Sequence, residues 1–371
     1  MEESLRYFGA RVDDLIKGRS LSRQDSRELF TQILKNEQPD LQQGAFLAAM
    51  TSKGATPEEI AGIWEAIYEI DTVKVLPEVE GPLAENCGTG MDSIKTFNIS
   101  TAASIVAAAD GIRMAKHGAR AITSKCGAVD ILEALGVDVE CDASLVKRSI
   151  ERAGIGIFNG MSDKVHPSAL SRILSQIRFG TILNIAGSLA NPALPSCGVR
   201  GVYSREMVLP IARAMREIGY RRAIVVHGLS ADGGHGMDEI STLGETLVAE
   251  LDEGGEILEY TLHPKDLGMR IGRQSAILHH GDRKSEALSL LRILAGLDRG
   301  DRRDIVCLNA SALLYMMGHA SDLKEGAEMA GDLLDSERPI RKLRAWVAEQ
   351  NSDPKERLER LDDLTNQACS A

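Results

Sequence analysis

The first candidate for chemistry is a glycine-rich segment that leads into an alanine-rich helical stretch. The segment runs Cys87-Gly88-Thr89-Gly90-Met91-Asp92-Ser93-Ile94-Lys95-Thr96-Phe97-Asn98-Ile99-Ser100-Thr101. Glycines let backbone N–H groups approach a ligand closely, and a helix N-terminus is a natural binding site for phosphate. The segment is not a Walker A loop, because Ile94 stands where a glycine should precede Lys95. It predicts a phosphate site or, as the structural alternative, a glycine-rich connection with a serine cap.

A second segment concentrates positive charge. It runs Lys116-His117-Gly118-Ala119-Arg120-Ala121-Ile122-Thr123-Ser124-Lys125-Cys126-Gly127-Ala128-Val129-Asp130. The cations are interleaved with glycines and hydroxyls, which favours an anion-binding loop over a solvated charged face. Asp130 stands at the start of a helical run at residues 131–135 and is a candidate helix cap.

Two carboxylates and one histidine complete the set of candidates. Asp238 and Glu239 follow a predicted strand and a glycine-rich loop at residues 228–236. Carboxylates on such a loop can hold a hard cation such as Mg²⁺, although a charged turn that caps a helix is favoured for this segment alone. His166, beside Pro167, could line a pocket, but a lone histidine next to proline is more often structural.

The elements that must position these residues change character along the chain. The first seventy residues read as helices, with a capping box at Thr56 and a cap at Ser22, and residues 77–82 form a linker with two prolines. Beyond it, β-type runs at 154–158, 222–227 and 304–308 alternate with helical patterns at 102–109 and 207–218. This alternation predicts an α/β domain with a mainly parallel sheet covered by helices. The last thirty residues are charged, and we expect solvated helices there.

Composition limits the kinds of function. A chain of 371 residues suggests about two domains. The net charge is −11 and aromatic residues make up 4%, which disfavours a nucleic-acid binder. No apolar run reaches membrane-spanning length, and the start lacks the pattern of a signal peptide. Six scattered cysteines without a C-x-x-C pair favour reduced thiols in a cytoplasmic protein.

Taken together and in this order, the segments resemble the anthranilate phosphoribosyltransferase family. The family's G-T-G-G-D and T-x-N-x-S-T correspond to residues 88–92 and 96–101. Its K-H-G-N-R…S-S-K-S-G-S-A-D-x-L-E-A-L-G corresponds to residues 116–136. Residues 43–47, 53–62, 201–204 and 308–310 are also similar to the family, so the likeness extends from about residue 15 to about residue 350.

The resemblance implies a fold and a reaction. The fold is a helical domain at 1–76, completed by about 164–183, and an α/β domain at 77–163 and 184–371, with the active site between them. The family forms homodimers through the helical domain. It transfers phosphoribose from phosphoribosyl pyrophosphate (PRPP) to an aromatic amine, with Mg²⁺ at the pyrophosphate, in tryptophan biosynthesis. Positioning of the amine is expected to matter more than a general base.

The resemblance also assigns residues to roles. Expected contacts of PRPP are Gly88, Thr89, Gly90, Met91, Asp92, Thr96, Asn98, Ile99, Ser100, Thr101, Lys116, His117, Gly118, Arg120, Ser124 and Ala128. Expected contacts of the acceptor are Gly88, His117, Ala119, His166 and Arg178. Expected ligands of Mg²⁺ are Ser100, Asp238 and Glu239.

Departures from the family cluster on the acceptor side. Ala119 stands in place of the asparagine that contacts anthranilate, and Ser188 in place of a proline. The second glycine of the glycine loop is Met91. The family arginine that meets the anthranilate carboxylate aligns with Gln176 counted from His166, or with Leu174 counted back from Asn184, because this segment is shorter. Arg172 and Arg178 are substitutes that the sequence alone does not place.

Three alternatives therefore stay open. The acceptor could be an aromatic or heterocyclic compound other than anthranilate, since only the acceptor side has changed. Pyrimidine nucleoside phosphorylases share the architecture but match the motifs at 116–118 and 238–239 less well. A nucleic-acid-binding relative would be expected to lose the PRPP motif and to gain a basic groove, and this chain shows neither change.

Overall fold

The computed structural model describes residues 2–120, 126–177, 179–279 and 281–370. The helices are α1 (Glu2–Ile16), α2 (Arg23–Leu34), α3 (Asp40–Lys53), α4 (Pro57–Ile70), α5 (Ile99–Ala109), α6 (Ala128–Ala134), α7 (Ala143–Ala153), α8 (Leu170–Gln176), α9 (Leu183–Leu189), α10 (Val208–Glu217), α11 (Gln274–Ile277), α12 (Arg283–Leu294), α13 (Asp301–Met316), α14 (Leu323–Asp335), α15 (Arg338–Glu349) and α16 (Lys355–Ser370). The strands are β1 (Ala84–Cys87), β2 (Met114–Gly118), β3 (Ile155–Asn159), β4 (Cys197–Gly201), β5 (Arg222–Leu229), β6 (Gly236–Met237), β7 (Thr246–Leu251) and β8 (Ile257–Leu262).

One mainly parallel sheet forms the centre of the larger domain. Its strand order is β3-β2-β1-β4-β5-β7-β8, with β6 paired to β5. The pairs from β3 to β5 are parallel, and β7 and β8 add an antiparallel edge. Parallel strands end at the same edge, so the segments after β1, β2, β3, β4 and β5 meet there. In open sheets of this kind, ligands bind at that edge, near the point where the strand order reverses.

The N-terminal helices form where the capping signals predict them. Ser22 caps α2 by accepting from the Asp25 N–H, and Thr56 forms a capping box with Glu59 at the start of α4. The apolar faces of α1–α4 share one core with α8, α9 and α10 and with apolar side chains of β5 and β7. The helical layer therefore does not close on itself, since its core continues onto one face of the sheet.

Close approach between α2 and α4 depends on Gly62. A Cβ at this position would lie 2.2 Å from the carbonyl oxygen of Arg23. We expect Gly62→Ala to destabilise the protein by about 1–3 kcal/mol, because the two backbones must move apart. Gly44→Ala in α3 is the matched control, since a Cβ there meets no atom within 4 Å, and it is expected to be neutral or stabilising. Equal urea midpoints for the two variants would contradict this account.

Two expectations about the C-terminal half are wrong. Residues 304–308 are not a strand but lie inside α13, which is buried nearly all round. A short apolar run has no periodicity that separates a buried helix from a buried strand. The last thirty residues are helical but not simply solvated, because Leu343, Trp346 and Val347 are fully buried against the sheet domain.

Two further observations concern the chain as a whole. All six cysteines are free thiols, as their scatter predicts. In the part of the chain that the structure describes, no helix is both long enough and apolar enough to cross a bilayer.

Candidate functional site

A pocket opens at the carboxyl edge of the parallel strands, between the sheet and α8–α9. The side chains and backbone that line it come from the loops after β1, β2 and β3, from α5, α8 and α9, and from the Asp238–Glu239 pair. The lining residues are Asn86, Cys87, Gly88, Thr89, Gly90, Asp92, Lys95, Thr96, Phe97, Asn98, Ser100, Lys116, His117, Gly118, Ala119, Arg120, Cys126, Gly127, Ala128, Gly160, Leu170, Leu174, Leu183, Asn184, Gly187, Ser188, Asp238 and Glu239.

The glycine loop is built around the Asp238 carboxylate. The backbone N–H of Gly90 donates to Asp238 Oδ2 at 2.7 Å, and the Thr89 hydroxyl lies 3.4 Å from the same oxygen. A Cβ at Gly88 would lie 2.4 Å from that oxygen, and a Cβ at Gly201 would lie 1.7 Å from the Asp238 carbonyl oxygen. Glycine is therefore required at both positions for the acidic pair to sit against the loop.

A second set of contacts ties the glycine loop to the loop at 229–236. The Ser93 hydroxyl donates to the Gly236 carbonyl at 3.0 Å and accepts from the Gly236 N–H at 3.0 Å. The backbone N–H groups of Ser93 and Ile94 also point to the Gly236 carbonyl. These contacts join the two loops into one structural unit.

The pocket contains an excess of negative charge near the start of α5. Burial and the nearby Asp238 carboxylate raise the pKa of Asp92 to about 7, against the lowering effect of Lys95. Burial, Asp238 and Asp92 raise the pKa of Glu239 well above its usual range. Among the described residues, no group of three His, Cys, Asp or Glu side chains is already arranged to hold a metal ion. The three carboxylates nevertheless repel one another, which makes their surroundings favourable for a cation.

Two of the three cations of the second segment, Lys116 and Arg120, are engaged by the protein, and the third, Lys125, lies outside the described residues. Lys116 is buried beneath the glycine loop, where its Nζ donates to Asn86 Oδ1 at 2.8 Å and to Ser104 Oγ at 2.9 Å. Burial lowers the pKa of Lys116 to about 8. Arg120 lines the pocket, but its guanidinium binds Glu133 through two hydrogen bonds of 2.9 and 3.0 Å. Lys116 thus places positive charge at the base of the pocket while its N–H groups bind the protein itself.

The end of the pocket away from the carboxylates is mostly apolar. Leu170, Leu174 and Leu183 line it from α8 and α9, and Ala119 and Gly160 line the pocket from the segments after β2 and β3. Arg172 does not line the pocket, since its guanidinium binds Gln43 Oε1 and the Ile33 carbonyl inside the helical layer. Arg178, the other candidate for the carboxylate contact, lies outside the described residues.

Two buried histidines meet beneath this apolar end. His166 Nε2 lies 3.2 Å from His117 Nε2, and the ring centroids are 5.2 Å apart. His117 Nδ1 lies 3.1 Å from the Ser188 carbonyl, and His166 Nδ1 lies 2.6 Å from the Asp71 carbonyl. Burial lowers the pKa of both rings, that of His117 to about 3.

A buried ion pair supports the same region from below. Arg200 on β4 binds Glu85 on β1, and both side chains are about as buried as the surrounding core. Glu85 also accepts from the Tyr220 hydroxyl at 2.7 Å and from Asn191 Nδ2 at 2.9 Å. Arg200 donates at 3.1 Å to the hydroxyl of Ser188, which lines the pocket. Neither Glu85 nor Arg200 is a sequence-based candidate.

Most sequence-based site candidates line the pocket, and a few do not. Met91, Ile99, Thr101 and His166 are not lining residues, because Met91 packs toward Gly180 and the other three are buried behind the pocket wall. Ser124 and Arg178 lie outside the described residues. Sequence reasoning missed the apolar residues of α8 and α9, and their helical spacing could only have indicated burial.

The raised pKa of Asp92 predicts a pH-dependent stability difference. An acid with a raised folded-state pKa destabilises the fold as pH rises, because the unfolded chain releases the proton first. The stability changes with pH between the usual Asp pKa of 3.8 and the raised pKa of Asp92, about 7. We expect Asp92→Asn to melt above wild type by a margin that grows from pH 4 to pH 7 and then levels off, measured without divalent cations. A constant margin would show that Asp92 is not in this electrostatic environment.

Comparison with known proteins agrees with the geometry. Residues 80–338 match the sequence profile of the glycosyl transferase family, a/b domain, and residues 12–69 match that of the helical bundle domain of the same family. The anthranilate phosphoribosyltransferase of Methanococcoides burtonii is 38% identical over 98% of this chain and all of that protein.

Solved structures give the same result. The anthranilate phosphoribosyltransferase of Thermus thermophilus superposes with a TM-score of 0.81 at 33% identity, over 91% of this chain and 98% of that one. The Saccharomyces cerevisiae enzyme in complex with PRPP and Mg shares the fold, with a TM-score of 0.79 at 23% identity over 94% of this chain and 99% of that one. The pocket geometry and these relationships together show that this chain belongs to the anthranilate phosphoribosyltransferase family.

Proposed function

We propose that this protein transfers the phosphoribosyl group of PRPP to anthranilate and releases pyrophosphate. The observation that carries the proposal is the convergence in one pocket of the glycine loop, the N-terminus of α5, Lys116 and the Asp238–Glu239 pair. The 38% identical relative that bears this activity in its name covers nearly the whole chain.

The phosphate half of the pocket suits a highly charged donor. Backbone N–H groups of the glycine loop other than that of Gly90, which binds Asp238, provide hydrogen-bond donors together with the first turn of α5 and the positive end of its dipole. Lys116 adds a fixed charge beneath them. Together these groups hold PRPP with its C1 atom toward the acceptor, so that the C1–O electron pair leaves with pyrophosphate as the amine nitrogen bonds to C1 and releases one proton to solvent.

The acidic residues suit Mg²⁺. We propose that Ser100, Asp238 and Glu239 hold the ion, with Asp92 close by, because carboxylates that raise one another's pKa gain from a divalent cation. When bound, the ion neutralises negative charge that grows on the leaving pyrophosphate. Asp238 is also fixed by the Gly90 N–H, which orients its carboxylate toward the donor side.

The acceptor half suits a planar aromatic amine. Leu170, Leu174 and Leu183 offer an apolar wall, and His117 and Ser188 supply the polar contacts. We propose Gly88, His117 and Ala119 as acceptor contacts, with His166 acting behind His117. Because Arg172 is engaged elsewhere, transfer to an aromatic or heterocyclic amine other than anthranilate is the second candidate function.

The deciding experiment measures pyrophosphate release from PRPP and Mg²⁺ with and without anthranilate. We expect release that depends on anthranilate, with one phosphoribosyl anthranilate formed per pyrophosphate. PRPP binding by calorimetry without release would contradict anthranilate as the acceptor and would favour the second candidate. Phosphorolysis of thymidine or uridine would instead identify a nucleoside phosphorylase, and DNA binding without PRPP binding would indicate a non-enzymatic relative.

Three further properties are proposed on the same basis. We propose a helical domain of residues 1–76 and about 164–183, which is consistent with the shared core of α1–α4 and α8. We propose a homodimer through this domain, since Ile16 and Leu41 expose 69% and 88% of their surface there. A cytoplasmic location fits the free thiols.

A further inference from the structure

The His117–His166 contact, called here the His pair, has an unusual hydrogen requirement. His166 is fully buried and His117 is 3% exposed. The three closest polar contacts of the two rings join Nδ1 of His166 to the Asp71 carbonyl, Nδ1 of His117 to the Ser188 carbonyl, and Nε2 to Nε2. A carbonyl oxygen only accepts, so each Nδ1 must carry a hydrogen, and the Nε2 contact needs one more.

Counting protons shows what the pair can hold. Two neutral imidazoles carry two N–H groups, which leaves one of the three contacts with facing lone pairs. One added proton satisfies all three contacts, whereas a second would set two N–H groups against each other at Nε2. The Thr72 hydroxyl, 3.4 Å from His166 Nδ1, donates its own hydrogen to the Ile67 carbonyl and does not change the count. The His pair is therefore built to hold one shared proton.

Two charged groups next to the pair act on it in opposite directions, since Asp71 raises the pKa of His166 and Arg200 lowers that of His117. The Asp71 carboxylate accepts the N–H groups of Ser168, Ala169 and Leu170, beside the His166 ring. Arg200 beneath His117 is bound to Glu85. Lys116, the neighbour of His117 on β2, points to the other face of the sheet and binds Asn86 and Ser104. The contact that α9 makes with the pair is the uncharged Ser188 carbonyl.

The pocket side of the pair is open to a ligand. His117 lines the pocket, and Gly160 lines it next to His117. A Cβ at Gly160 would lie 2.8 Å from His117 Nε2, so the absence of a side chain leaves that ring edge uncovered. Burial by itself keeps the rings neutral, as their lowered pKa values indicate. An anion placed beside the uncovered edge would raise the pKa of the rings and favour their protonated form.

We propose that the His pair takes up one proton when an anionic acceptor enters the pocket, and that the positive charge of the pair attracts the acceptor's carboxylate while its three N–H groups stay in their contacts within the protein. The inference rests on the proposed function, since it concerns how the protein binds the carboxylate of anthranilate. Arg172, which could have met it, is bonded within the helical layer, and Arg120 is held by Glu133. The pair thus supplies positive charge only while the acceptor is present.

The test is calorimetry of the full-length protein saturated with pyrophosphate and Mg²⁺, so that no turnover occurs. Anthranilate is titrated at several pH values between 6 and 8.5, each in two phosphate-free buffers whose different ionisation enthalpies reveal proton transfer. We expect proton uptake that increases as the pH falls from 8.5 to 6, with at most one proton per anthranilate bound, and none with aniline, which lacks the carboxylate. Binding of anthranilate without proton uptake between pH 6 and pH 8.5 would overturn the proposal.

Variants locate the proton. His166→Gln should abolish the uptake and weaken anthranilate binding about tenfold or more, while PRPP binding stays unchanged. Gly160→Ala should have a similar effect by crowding His117 Nε2, and it keeps both rings if His166→Gln fails to fold. His319→Gln, on a half-exposed surface histidine, is the matched control. Persistent uptake in folded His166→Gln would also overturn the proposal.

The outcomes separate this inference from the proposed function. Anthranilate-dependent pyrophosphate release together with proton-neutral binding would leave the function in place and reject the His pair. Absence of both anthranilate binding and turnover would reject both. Proton uptake together with turnover would support both.

Discussion

Asp238→Asn combined with Glu239→Gln is expected to lower kcat/KM for PRPP about 100- to 1000-fold while raising the melting temperature of the ligand-free protein. Asp238 is buried, Glu239 is partly buried, and the pKa values of both are raised, so their charge destabilises the fold. The oxygen of the amide introduced at position 238 can still accept from the Gly90 N–H, which preserves the glycine loop. Activity is lost because the substituted side chains no longer attract a divalent cation.

Steady-state kinetics over a range of Mg²⁺ concentrations, with thermal melts in parallel, tests this prediction. Glu245→Gln is the matched control, because it removes one exposed negative charge just before β7 and is expected to change neither property. Wild-type turnover by the double variant would reject the proposed metal site. Lower stability with unchanged turnover would show that the carboxylates serve the fold alone.

Glu85→Gln is expected to destabilise the protein by about 3–5 kcal/mol. The substitution leaves the Arg200 guanidinium, which is 2% exposed, without its carboxylate. It also weakens the acceptor for the Tyr220 hydroxyl, whose pKa is raised by burial and by Glu85. Urea unfolding measures the loss.

A double-mutant cycle separates the pair from its surroundings. Adding Arg200→Met to Glu85→Gln removes the uncompensated charge and should recover most of the lost stability. Glu69→Gln, in the exposed pair with Arg27, is the control and should leave the free energy of unfolding unchanged. If the single and double variants lose the same amount, Arg200 is compensated by groups other than Glu85.

The fold could be predicted from the sequence wherever local signals are strong. The caps at Ser22 and Thr56 and the strands near 155–159 and 222–229 follow from capping chemistry and apolar runs. The segment at 304–308 has the pattern of a strand and is helical, because burial on all sides erases the periodicity that separates the two. Trp346 is likewise buried by residues far away in the chain. The charged residues next to it in the sequence give no indication of this burial.

One half of the candidate site could be predicted from local sequence signals, and the other half could not. The phosphate half consists of contiguous motifs, so residues 88–92, Ser100 and the acidic pair could be found from spacing and resemblance, and most of them line one pocket in the structure. The acceptor half is assembled from residues of separate segments that form no contiguous motif, such as Ala119, Gly160 and Leu174. Two further contacts depend on strand register and carry no sequence signal. They are the hydrogen bond from Arg200 to Ser188 and the contact between the two histidines.

The core that α1–α4 share with later segments has a consequence for synthesis on the ribosome. The first four helices leave the ribosome early, but their core partners Leu170, Leu183 and Ile211 follow about 100 residues or more after Ile70. At a translation rate of about 5–20 residues per second, the end of β5 follows Ile70 after about 8–30 s, and the apolar faces of α2 and α4 lack these partners until then. The nascent chain therefore needs shielding during this interval, and its first stable structure forms only after β5 and α10 have emerged.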